Sequence, residues 1–184
     1  RLGIEQQQRL AATIVDEAGQ LARLTDNTLQ LARLGSPGIA LQTDWMAVED
    51  LVGPVLARAR RRDPQHRIHA RLEPGLPLLR VDAVLMVQLL DNLVDNARKH
   101  GGRGAPVELL ARRDGDAVCL AVKDRGPGVP PQMQPHLFER FQRADAGLPG
   151  GVRGSEADRS GAGLGLALCR AIARAHGGDI GWRA

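Results

Sequence analysis

Aromatic side chains are nearly missing from this chain. It has no Tyr, and two Phe and two Trp bring the aromatic share to 2% of 184 residues. The stacking platforms of single-strand nucleic-acid binders are therefore absent. Lysine is almost missing as well. Lys99 and Lys123 are the only two, and the other basic residues are all Arg. With a net charge of only +4, that bias reads as a GC-rich coding sequence, and no nucleic-acid partner is expected. The two cysteines, Cys119 and Cys169, make no disulfide framework and have no His or Cys at ligand spacing. They read as small buried apolar residues of a reducing compartment. No apolar run approaches the ~20 residues of a membrane helix. Initiator Met, signal peptide and lipidation motif are all lacking. The sequence opens at Arg1 inside a helical pattern and stops at Ala184. The expectation is a piece of a larger protein, with any membrane anchor elsewhere.

What is present is a globular composition, 43% hydrophobic and 25% charged. Residues 4–34 read as one amphipathic helix. Ile4, Ala11, Ile14, Ala18, Leu21, Leu24, Leu31 and Leu34 recur at spacings of three, four and seven. The stripe needs a partner, either in a helical bundle or on its own domain. Ile39–Leu41 reads as a short extended run. Thr43 or Asp44 then caps a helix from Trp45 to Arg62. Residues 67–72 and 78–81 read as strands, and Asp82 caps a helix to His100. Strands at 107–112 and 117–122 are spaced for a hairpin. Residues 147–165 read as a Gly/Pro-rich loop. A helix follows to His176, Gly177-Gly178 ends it, and Asp179–Trp182 begins a strand. Arg58–Arg62 and Arg112-Arg113 read as solvated faces. Mixed strands and helices in blocks predict an α+β two-layer sandwich with a long N-terminal helical arm.

Four clusters carry chemistry. Asn92, Asp95, Asn96 and Lys99 lie at i, i+3, i+4 and i+7, so they share one helix face. Two amides, a carboxylate and an ammonium suit magnesium with phosphates, or else form a polar surface. Asp124-Arg125-Gly126-Pro127-Gly128 follows an apolar strand. A carboxylate there can accept from an exocyclic amine, and the glycines let backbone approach a planar ligand, although the pattern is also a common turn. Leu137–Phe141 is uninformative alone. Gly161-Ala162-Gly163-Leu164-Gly165 opens a helix, and free amides at a helix start can cradle a phosphate. It is neither a P-loop nor a Rossmann turn.

In their order and spacing, the four clusters resemble the N, G1, F and G2 boxes of the ATP-binding domain of bacterial sensor histidine kinases. Residues 1–36 resemble the second helix of that family's dimerisation bundle, and 37–184 its catalytic domain. A finer resemblance is to the KdpD-type potassium sensor kinases. It rests on Asp44-Trp45, on Glu49–Gly53, on Leu76-Pro77-Leu78 before Val81-Asp82, and on Gly163–Ile172 with His176-Gly177-Gly178.

The resemblance implies a GHKL-type fold and ATP with Mg2+ as cofactors. It places the nucleotide pocket on Asn92, Asn96, Lys99, His100, Asp124, Gly126, Gly128, Val129, Phe141, Gly161, Gly163, Leu164 and Gly165. Asn96 matches the magnesium ligand. Asp95 stands where the family has the acid that acts as general base or orients the acceptor histidine. His100 replaces a usual Tyr beside the adenine. Residues 142–160 correspond to the ATP lid. The implied partners are a response regulator and a second copy through the bundle. The implied location is the cytoplasmic side of an inner-membrane protein, with potassium or osmotic sensing as the process. None of His66, His69, His100, His136 and His176 has the family's phosphoacceptor setting. The acceptor helix and the family's last strand are thus expected outside this chain. A clamp-type ATPase sharing the nucleotide fold (a chaperone, topoisomerase or mismatch-repair enzyme) and a purely regulatory binding module are the alternatives. The long helix and the Phe138–Phe141 box speak against the first, the intact boxes against the second.

Overall fold

A computed structural model of the chain describes residues 3–36, 40–65, 67–102, 104–141 and 163–183, with Asp16 described in its backbone alone. Helix α1 spans Ile4–Leu34. Strand β1 (Asp44–Met46) leads into α2 (Val48–Arg62), and β2 (Ile68–Leu72) and β3 (Leu79–Val81) follow. Helix α3 (Ala83–His100), the strands β4 (Val107–Asp114) and β5 (Ala117–Lys123), a 3-10 turn at Gln134–His136 and α4 (Gly165–Ala175) complete the described elements. β2 pairs parallel with β4, and β4 pairs antiparallel with β5. β1 and β3 form a separate antiparallel ribbon.

The two layers follow from strand alternation. Ile68, Val107, Leu109 and Ala111 are buried on one side of the β2–β4–β5 sheet. Against them pack Leu51, Val52 and Val55 of α2, Leu90 and Val94 of α3, and Leu168 and Ile172 of α4, all buried. Burying a side chain of this size is worth ~1.5–3 kcal/mol. Cys169 sits in this core, and burial pushes its thiol pKa up to about 12. It is an apolar packing group, as its pattern suggested.

Helix α3 starts as expected. The Asp82 carboxylate accepts from the Leu85 N–H at 3.2 Å, satisfying one of the first-turn donors. The hairpin turn is tighter than the four residues expected. Asp114 pairs with Ala117, leaving Gly115 and Asp116 as a two-residue turn with Gly115 at φ +62°.

Four expectations are corrected. Asp44-Trp45-Met46 does not open α2 but pairs with Leu79–Val81, and α2 starts after Ala47 with no side-chain cap. The cross-strand partner decided this, and it is remote in sequence. Residues 179–182 adopt no strand, because no ladder partner lies beside them among the described residues. Ala40 and Leu41 belong to no element, and Ile39 lies outside the described residues. The Arg58–Arg62 run is not wholly a solvated face. Arg58 pairs with Asp91 of α3, and Arg62 pairs with Asp95 at 2.8 Å.

The stripe of α1 is divided. Leu31 is buried against the globular core, and Leu24 and Leu34 pack on it. Ile4, Ile14 and Leu21 stay exposed. Leu31 is 5% exposed and Leu21 64%, so the two leucines should behave differently in a monomer. Leu31→Ala is expected to cost about 2–5 kcal/mol, and Leu21→Ala to change stability by less than about 0.5 kcal/mol. Urea denaturation of dilute protein measures both. Equal losses would contradict the packing of Leu31 on the domain.

Candidate functional site

The site is built at the C-terminal half of α3. The helix presents Met86, Leu89, Leu90, Val94 and Ala97 to the core. Its 3.6-residue period leaves Asn92, Asp95, Asn96 and Lys99 on the other side. Strand β5 ends at Lys123 and delivers Asp124 beside the end of this helix. A Cβ at Gly126 would collide with the His100 carbonyl and stand 3.0 Å from Asp124 Oδ1. The 124–128 turn thus lies directly on the C-terminus of α3, and Gly126 is the residue that permits it. The Gly126 N–H donates to Asp124 Oδ1 at 2.8 Å. One carboxylate oxygen is thereby spent on holding the turn. Asp124 is otherwise exposed.

Helix α4 closes the third side. Leu164 is buried, and its carbonyl accepts from the Leu168 N–H at 2.9 Å, which anchors the first turn. A Cβ at Gly165 would stand 3.9 Å from Asn92 Oδ1. The start of α4 therefore faces the polar side of α3. Asn92 Nδ2 is buried there without a partner in the described structure. An orphaned amide donor costs ~1–3 kcal/mol unless something accepts from it. Its position beside a helix N-terminus suits an anionic acceptor.

Phe141 has a positive φ of 64° and is exposed. Its N–H donates to the Gly163 carbonyl at 3.0 Å. This bond joins the two residues that flank 142–162 in the described structure. Gly161 and the expected lid, 142–160, lie outside the described residues, as does His66. Gly128 and Gly163 adopt φ of +79° and +66°, conformations that favour glycine.

A clamp at the far end fixes the two helices to one another. The Asp82 N–H donates to His176 Nε2 at 3.0 Å, and His176 Nδ1 lies 2.8 Å from the Ile172 carbonyl. A backbone N–H can only donate, so Nε2 accepts and Nδ1 carries the proton. The imidazole thus ties the end of α4 to the start of α3. This is the packing role expected of His176.

The residues named from sequence are only partly gathered. Asn92 meets Gly165 at the start of α4, while Asp124 and Gly126 meet the end of α3 at the His100 carbonyl. Val129 is held in the following loop, where its carbonyl accepts from Gln134 Nε2 at 3.0 Å. Asp95 is engaged elsewhere. Its carboxylate pairs with Arg62 at 2.8 Å and with Arg98 at 3.5 Å. Arg98 in turn reaches Asp63 at 3.2 Å. Sequence reasoning missed this network. The signal was available, since Arg58/Arg62 and Asp91/Asp95 have the same i,i+4 spacing on two helices. Lys99 has its pKa lowered, chiefly by desolvation. Asp95 opposes the shift, while Arg23, Arg98 and Arg62 add to it. A groove of about 670 Å³ between α1, α2 and α3 contains none of the nucleotide-pocket residues named from sequence.

Known proteins share this fold and much of this sequence. Residues 81–183 match the family model of histidine kinase-, DNA gyrase B- and HSP90-like ATPases. The chain is 35% identical over 174 residues to the sensor protein KdpD of Escherichia coli, covering 94% of this chain and 18% of that protein. It is 33% identical to the alginate biosynthesis sensor protein KinB of Pseudomonas aeruginosa, covering 95% and 28%. The chain thus spans less than a third of these two relatives. Among solved structures, full-length ShkA in complex with AMPPNP superposes with a TM-score of 0.71 at 30% identity, covering 95% of this chain and 35% of that one. The histidine kinase AdeS of Acinetobacter baumannii, at 21% identity and a TM-score of 0.69, supports the fold. The chain belongs to the histidine kinase-, DNA gyrase B- and HSP90-like ATPase family, among the relatives of the sensor histidine kinases.

Proposed function

We propose that this chain is the ATP-binding catalytic core of a KdpD-like, two-component sensor histidine kinase. Residues 1–36 are then the second bundle helix and 37–184 the catalytic domain. The observation that carries the reading is the junction of three elements. Asn92's buried, unpartnered amide faces the first turn of α4, and the Asp124 turn rests on the C-terminal end of α3, about two turns further along the helix that carries Asn92. Asp124 receives the adenine amine on the oxygen not used by Gly126. Asn92, Lys99 and the amides around Gly163–Gly165 receive the phosphates. Asn96 is the residue that would hold Mg2+, which supplies charge neutralisation on the β- and γ-phosphates when bound.

The chemistry is positioning plus charge stabilisation. The bond from the γ-phosphorus to the bridging oxygen breaks, a bond from phosphorus to a histidine nitrogen forms, and ADP leaves. Asp95 orients the acceptor once its carboxylate leaves Arg62 and Arg98. The histidine comes from a separate bundle helix, since none of this chain's five histidines has the acceptor setting. A response-regulator aspartate then takes the phosphoryl group. The whole protein would be an inner-membrane homodimer joined through α1, with this part in the cytoplasm. Potassium or osmotic change would be its stimulus.

Three outcomes test this. Asp124→Asn should weaken ATP binding by about 1.5–3 kcal/mol, because a charge-assisted acceptor is lost. GTP should bind the parent poorly. Equal calorimetric affinities for ATP and GTP would overturn the adenine assignment. Lys99→Met should weaken ATP binding yet raise the melting temperature without nucleotide at pH 7. A depressed lysine pKa penalises the folded state below that pKa. The penalty vanishes as pH passes the unfolded value of ~10.4, so the gain should shrink toward alkaline pH. Radiolabelled ATP should bind the chain without labelling it, and label should appear on an added helix bearing the family's histidine motif. Acid-labile label on this chain alone would refute the missing-acceptor reading.

A further inference from the structure

The carboxylate assigned to the transfer step is held in this structure. Arg62 Nη1 of α2 donates to Asp95 Oδ2 at 2.8 Å. Arg98 Nη1, one turn further along α3, stands 3.5 Å from Asp95 Oδ1. Arg98 is anchored in its turn, because its Nη2 lies 3.2 Å from Oδ2 of Asp63, the residue that ends α2. One turn earlier Asp91 pairs with Arg58, so two successive turns of α3 are tied to two successive turns of α2. A carboxylate gripped at both oxygens by guanidiniums is fixed in direction, here toward α2. Yet its part in phosphoryl transfer needs it turned to the acceptor. Two acceptors compete at such a site. Water is always present, whereas the histidine arrives only with another helix. A carboxylate that stood free would serve either one.

We propose that Arg62 sets acceptor specificity: by holding Asp95 toward α2 until a histidine-bearing helix displaces it, Arg62 withholds the carboxylate from water and suppresses hydrolysis of bound ATP. The inference rests on the reading of Asp95 given above. In the reaction that Arg62 suppresses, a water oxygen bonds to the γ-phosphorus and the bond from that phosphorus to the bridging oxygen breaks. ADP leaves, and the water proton passes to Asp95 and on to solvent. Both ion pairs of Asp95 are partly exposed. Such a pair is weak enough for an incoming helix to break, and strong enough to change the population of free carboxylate several-fold.

Steady-state ADP formation from Mg-ATP by the full 184-residue chain, with no histidine helix added, tests it alongside calorimetric Mg-ATP affinity. Arg62→Gln should raise turnover about two- to fivefold, the range a partly exposed ion pair supplies, with affinity unchanged. Arg98→Gln, which releases the other oxygen, takes its place if circular dichroism shows Arg62→Gln unfolded. Asp95→Asn in the same background should erase the gain. A merely structural role for Arg62 gives loss or no change, never a gain that depends on Asp95. Turnover that is unchanged or lower in the folded arginine variant would overturn the proposal, and so would a gain that survives Asp95→Asn. Two controls separate the causes of failure. A wild-type chain that does not bind Mg-ATP sinks the proposed function itself. An Asp95→Asn chain that labels an added histidine helix at the wild-type rate sinks the reading of Asp95. In either case the role of Arg62 falls with it, for a separately visible reason.

Discussion

Most of this molecule depends on how α3 is held. Leu90 and Val94 are completely buried between the sheet and α4, and Arg58 and Arg62 of α2 grip the helix at Asp91 and Asp95. Asp82 caps its start, while the Asp82 N–H ties that start to His176. The 124–128 turn rests on its end. Apolar packing fixes where the helix lies but constrains its rotation less. The ion pairs and the two end contacts are directional, and they set which way Asn92, Asn96 and Lys99 point. A site needing several side chains at fixed separations is best placed on a helix restrained in this way.

The restraint on α3 has an electrostatic consequence. The ion pairs with α2 are partly exposed, so each contributes little to stability, ~0–1 kcal/mol, and less in salt. Their value to the protein lies in geometry. Two of them at matching i,i+4 spacing define a single register between α2 and α3. The same arrangement takes the Asp95 carboxylate into a structural role on the side of α3 facing α2, next to a lysine whose charge is already disfavoured by its surroundings.

Sequence periodicity was a good guide where a segment's partner was the whole core. The stripe of α1, the apolar face of α3 and the alternation of β4 and β5 placed these elements within a residue or two. It failed where one specific remote partner decided the outcome. Trp45 pairs with Arg80 in the β1–β3 ribbon, and nothing local in Asp44–Met46 distinguishes a short strand from the start of the following helix. Residues 179–182 read as a strand from their place after the Gly177-Gly178 helix stop, yet no ladder lies beside them among the described residues. In the site, Asn92, Asp124 and the glycines were legible because the spacing of whole motifs is distinctive. Arg62, Asp63 and Arg98 were not, because an arginine run looks like solvated surface until its carboxylate partners are located in space. His176 was read correctly as packing, but its two-sided hydrogen bonding is a tertiary fact.

The division of α1 follows from the same geometry. At about 100° per residue, Ile14 and Leu21 point roughly 80–100° away from Leu31 around the helix axis. One stripe on paper is thus two adjacent faces in space. Leu24, Leu31 and Leu34 are committed to the globular core, while Leu10, Ile14 and Leu21 remain exposed. A second helix docking on the exposed face would not need to displace the domain from the other. Over 31 residues the helix is about 46 Å long, and its C-terminal turns are pinned by Leu31. Rotating the far end about its own axis would therefore drive Leu31 against a close-packed core that resists small displacements. In a dimer formed through Ile14 and Leu21, the arm would act as a stiff coupling between the bundle and the helical layer that carries Asn92 and Lys99, without any part of it entering the nucleotide site.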